Sequence, residues 1–164
     1  MTIAEILLLD YDAEIQNTRR ILERIPEDKP DWKPHDKSMP MGRLAVHVAR
    51  LPDFATTILT TNDLNLANHK FPPLVFESRE KLLAQLEKTN TEARHALQSA
   101  TDEHLLTRWK LSWGDKLIAE GPRAVLYRTM FLNHLVHHRG QLSVYLRLNE
   151  VPVPGLYGPS ADEQ

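Results

Sequence analysis

No cysteine occurs in the 164 residues. That excludes disulfides, thiolate metal sites and a cysteine nucleophile together. Any metal site must use His, Asp or Glu, and any thiol chemistry must use a thiol carried by a substrate or cosubstrate. An excess of charge of one sign is also missing: 20 Lys and Arg stand against 22 Asp and Glu, a formal net charge of −2. Such a balance offers no footprint for nucleic acid or an anionic membrane. Long apolar runs are absent too, and no stretch could span a bilayer. The start, Met1 to Asp12, has no basic region and its apolar residues stop at Asp10, so it does not read as a signal peptide. A cytoplasmic location is the expectation. There is no internal repeat and no low-complexity tract. The length suits one domain over residues 1–164, and 41% hydrophobic with 26% charged residues is ordinary for a soluble globular chain.

Apolar periodicity predicts four long helices. The first runs from about Ile3 to Ile25 and is ended by Pro26, ahead of a proline-punctuated loop to Pro34. The second runs from Met41 to about Thr61, with Ser38 as candidate N-cap and Pro52 inside it, where a kink or a split is expected. Asn62 to Phe76 reads as a connection, and the third helix spans about Ser78 to Ser99. Thr101 caps a short turn carrying Leu105 and Leu106. Trp109 to Ile118 alternates loosely around Gly114-Asp115 and reads as an irregular excursion or small hairpin. Trp109 and Trp113 in it read as core or lid residues. The last helix runs from Pro122, placed as a first-turn proline, to Leu148. The tail from Val151 to Ser160 is too rich in proline for helix, and its apolar residues predict packing along the other elements. With no strong strand signal, the expected fold class is all-α, a four-helix bundle.

The run Asn133-His134-Leu135-Val136-His137-His138-Arg139-Gly140-Gln141 stands out. His134 and His138 are four residues apart, one above the other on a helix face. Both fall on the apolar stripe of the last helix, and His47 falls on that of the second, among Leu44, Val48 and Leu51. Three imidazoles thus point toward one core from two helices. Burying one polar ring without a partner costs roughly 1–3 kcal/mol. Two explanations are open: a shared divalent metal, or hydrogen bonding among the rings and to Tyr145 and Gln141. His137 reads as support for the site or as lining its mouth, and Arg139, pointing off the ligand face, as a surface or inter-helix ion pair. Gln141 reads as a hydrogen-bonding partner on the ligand face, and Gly140 as room for a close backbone approach. His35, His69, His95 and His104 read as solvated. Leu135 stands where a zinc protease of the H-E-x-x-H type has its general base, so peptide hydrolysis by that route is not expected.

These residues carry a resemblance. Gly42-Arg43-Leu44-Ala45-Val46-His47, the run Asn133 to Leu142, Tyr145-Leu146-Arg147 and the tail Val151 to Pro154 with Tyr157 to Glu163 are similar to the DinB family, within the DinB/YfiT-like superfamily. The resemblance spans essentially the whole chain. It implies a four-helix bundle of up-down-down-up connectivity and a divalent metal, often nickel or zinc. The ligand triad carries over to His47, His134 and His138, and a homodimer is frequent. Several relatives are thiol-dependent transferases or isomerases, so the favoured expectation is an enzyme that activates a low-molecular-weight thiol for attack on a small-molecule substrate. The alternatives are a non-catalytic, metal-stapled stress-response bundle and metal-assisted hydrolysis. No nucleic-acid or membrane partner is expected.

Overall fold

The four long helical segments form where the sequence supplies both an apolar stripe and an end signal. The structure, a computed structural model, describes residues 1–163. Helix α1 (Ile3–Leu22) starts at a capping box, in which Thr2 and Glu5 satisfy each other's backbone N–H groups. Helix α2 (Met41–Thr60) begins after Pro40, with no side-chain cap, so Ser38 does not serve as one. It runs unbroken through Pro52 and is not split. Its last carbonyls are held by Arg123, which donates to Ile58 at 2.5 Å and to Thr61 at 2.6 Å. A cation there suits the negative end of the helix. Helix α3 (Arg79–Gln98) is capped by Ser78, and the short α4 (Asp102–Leu106) by Thr101.

Helices α1 and α2 both lie against α3. The last segment packs on both α1 and α2, closing the core. Tyr11, Tyr127 and Phe131 meet there with ring centroids 5.1 to 6.0 Å apart. Leu44, Leu86, Leu135 and Leu142 belong to the same core, each fully buried. The last segment is not one regular helix. It is built from α5 (Arg123–Leu126), a π-helical stretch (Tyr127–Leu132) and α6 (Asn133–Leu148). Tyr127, Phe131 and Leu132 are all buried along this wider turn.

The all-α expectation is corrected by a small sheet. Strands β1 (Asp63–Asn65), β2 (Arg108–Trp113) and β3 (Lys116–Pro122) form three strands in that order. The excursion is a β2–β3 hairpin, turned at Gly114 with φ of +56°. The connection after α2 contains β1, which pairs in parallel with β2, Asp63 opposite Lys110. A three-residue strand with one apolar residue has no period to detect, and its partner is remote in sequence. Trp109 is buried in the sheet and donates to Thr61, whereas Trp113 is 62% exposed and belongs to neither core nor lid.

The tail docks as expected. Val151, Val153 and Leu156 pack on the core, and Arg20 and Arg24 of α1 hold Glu163, with Arg147 of α6 holding Asp162. Gly140 is not a point of close approach: a Cβ there would meet nothing within 4 Å. The crowded glycine is Gly42, where a Cβ would sit 2.8 Å from Phe76 and 2.9 Å from Pro30.

Candidate metal centre

His47 comes from the middle of α2, and His134 and His138 from the first turns of α6, directly after the π-helical stretch. Their facing nitrogens meet. His138 Nε2 lies 2.8 Å from His134 Nε2, and His134 Nε2 lies 3.4 Å from His47 Nε2. One nitrogen from each ring falls within 4.8 Å of the others. The three rings are half-buried at the edge of the deeply buried stripe of Leu135, Arg139 and Leu142.

Burial holds all three rings neutral near pH 7. It pushes His47 down to about 4, helped by His138, His134, Arg50 and Arg43. His134 and His138 are lowered too, again chiefly by burial. The outer nitrogen of His138 is engaged. His138 Nδ1 lies 2.7 Å from Gln141 Oε1. An acceptor at Nδ1 keeps the ring's one proton outward and leaves the Nε2 lone pair facing in. Nε2 atoms that meet at 2.8 to 3.4 Å need a proton or a cation between them. The donor set therefore fits a divalent ion, and three neutral imidazoles leave such an ion open positions for further ligands. Among the described residues, no Asp or Glu completes the cluster.

A family model for the DinB family matches residues 4–164. The chain belongs to the DinB family. A curated relative, the uncharacterized protein YrdA of Bacillus subtilis (strain 168), is 26% identical over 158 residues, covering 95% of this chain and 89% of its own. A crystal structure of a DinB-like protein from Bacillus cereus ATCC 10987 matches with a TM-score of 0.68 and 24% identity, over 92% of this chain and 95% of that one. Another, the DinB-like protein YjoA from Bacillus subtilis, matches at 0.67 and 16%, over 96% and 97%. At these identities the two structures speak for the fold alone.

In this DinB-family chain the triad opens on a cavity of about 420 Å³, which His47 and His134 line. Sequence reasoning missed it, because its far wall comes from β1, β2 and the loop between β1 and α3. The residues around the triad sort clearly. Gln141 is the partner of His138, as the ligand-face spacing predicts. His137 is exposed and stacks edge-on against His138, with centroids 4.9 Å apart, outside the cavity lining. Arg139 is an inter-helix ion pair but not a surface one: it is 1% exposed and reaches Glu14 of α1 at 2.5 Å. Of the outlying histidines, His35 and His95 are exposed. His69 is exposed yet lines the cavity. His104 is half-buried, with Nε2 2.7 Å from the Leu59 carbonyl, so it is not simply solvated. No helix among the described residues is long and apolar enough to cross a membrane.

Proposed function

We propose that this chain is a divalent-metal-dependent enzyme of the thiol-transferase kind, holding its ion on His47, His134 and His138. The observation that carries the reading is the convergence of three imidazole Nε2 atoms at the edge of a cavity, with the outer nitrogen of His138 held by Gln141. An all-imidazole set suits nickel and zinc alike. A divalent ion held there supplies Lewis acidity that favours the thiolate of a low-molecular-weight cosubstrate. The chain's own groups orient and shield. Gln141 fixes the His138 ring, while Leu51, Leu111 and Met130 give the adjoining cavity an apolar wall. The lack of cysteine requires the thiol to come from outside. Leu135, fully buried, cannot act as the base a hydrolase would need at that position. A site beside an open cavity favours chemistry over a closed structural staple.

The finer fold reading, a four-helix bundle of up-down-down-up connectivity, is supported by the packing of α1 and α2 each on α3 and α6. We extend the proposal to a cytoplasmic homodimer, whose second copy would cover the exposed Val144 and Leu148 of α6. Light scattering checks the dimer.

The deciding experiment is metal analysis of protein purified without an affinity tag, beside His134→Ala. One equivalent of metal in the wild type and none in the variant is expected. Stoichiometric metal that survives the substitution overturns the assignment. A turnover screen of thiols against electrophiles then tests the enzymatic part, which falls if metal-loaded protein turns over no pair.

A further inference from the structure

The cavity beside the triad has a chemistry of its own. At about 420 Å³ it lies in the range of small-molecule sites, roughly 300–1,000 Å³. Its walls are hydrocarbon and aromatic. Leu51 and Phe54 come from α2, Leu64 from β1, Leu111 from β2, and Leu66 and Phe71 from the loop that follows β1. The charged groups lining it are Arg50 and Asp53, half-buried and of opposite sign, so the rim selects no net charge. Arg50 is occupied, donating to the Pro72 carbonyl at 3.0 Å, which ties the loop to α2. The other polar members of the lining are Thr57, whose hydroxyl donates to the Asp53 carbonyl, the exposed His69, and the triad histidines His47 and His134, which carry the metal-binding nitrogens. A polar, hydrogen-bonding thiol would leave most of this surface unmatched. An apolar molecule with one polar end matches it throughout.

We infer that the cavity holds the apolar body of the electrophilic substrate, an alkyl or aryl compound whose polar reacting end lies at His47 and His134. This rests on the metal-enzyme reading given above and adds the substrate class to it. The thiol then approaches the triad from outside the cavity, past His138, which does not line it.

Two homologous series test the inference by calorimetry: n-alkyl hydroxamates, which carry a metal-binding head, and n-alkyl alcohols, which do not. Against metal-loaded wild type, affinity in both series should rise about fourfold per methylene and level off once the cavity is full. Hydroxamates should bind tighter than alcohols of equal length, and that advantage should vanish in His134→Ala while the alcohol slope persists. Phe71→Ser, at a position 60% exposed, should reduce the slope without changing metal content. Leu66→Asp should abolish it. An affinity independent of chain length in wild type overturns the inference, even where hydroxamates still bind the metal. A normal slope with no hydroxamate advantage leaves the cavity assignment standing and sinks the metal site instead.

Discussion

His138 and Arg139 are neighbours in sequence and opposites in circumstance. Arg139 turns into the α1 side of α6, where every group it meets answers it. It donates to the Glu14 carbonyl at 2.9 Å and to Thr18 at 3.2 Å, pairs with the Glu14 carboxylate at 2.5 Å, and donates to the Tyr157 hydroxyl. Tyr157 in turn donates to Glu14 at 2.7 Å and lays its ring 5.4 Å from the guanidinium. His138 turns toward α2, and its neighbours there are two more imidazoles, His47 across from it and His134 one turn back on α6, whose Nε2 atoms face its own. A buried polar cluster that closes on itself holds a fold together. One that converges on a point and does not close is waiting for a ligand.

Four perturbations sharpen that contrast. The largest effect is expected on the closed side. Arg139→Ala leaves the Glu14 carboxylate, 16% exposed, without its cation, and should cost about 3–5 kcal/mol of stability in urea or thermal unfolding. Metal content of the folded fraction should stay at the wild-type level; loss of metal there would mean that the two clusters are one. Next comes the support of the open side. Gln141→Leu removes the acceptor that orients His138 and should weaken metal binding by roughly 10–100-fold in a chelator competition, with little change in the stability of metal-free protein. The third is pH. His47, held by burial near 4 against an ordinary value of 6.5, binds fewer protons folded than unfolded between those values. Metal-free protein should therefore hold its full stability above about 6.5 and lose it as pH falls through that window. His47→Leu should reduce the loss, His134 and His138 supplying the remainder, and an unchanged profile would show that the His47 ring is not buried neutral. The smallest is Gly140→Ala, beside both clusters and in open space. It should add about 1 kcal/mol from helix propensity alone and leave metal binding untouched.

The open cluster was more legible in the sequence than the closed one. An i, i+4 histidine pair and one histidine on a second apolar stripe are local signals, and helices transmit them faithfully. Arg139 gave no such signal. Its partners lie on α1 and in the tail, and an arginine on an amphipathic helix is ordinarily exposed. The helices were recovered to within a few residues at their ends. What the pattern could not carry was long-range or aperiodic: β1, with one apolar residue and a remote partner; the π-helical stretch, whose extra residue disturbs no stripe visibly; and the cavity, whose walls come from elements far apart in the chain. Gly140 was misread because spacing cannot tell a glycine that makes room from one that faces water.

The parallel pairing of β1 with β2 separates what grips from what encloses. The three imidazoles ride on α2 and α6, whereas much of the enclosing wall rides on a short strand, a hairpin and the loop from Leu66 to Leu74. Loops of that kind accept changes of length and side chain at small cost. A library randomised at Leu66, Phe71 and Leu74 would therefore explore new occupants without disturbing the ligand geometry. Divergence can follow the same route, keeping one centre and exchanging its antechamber.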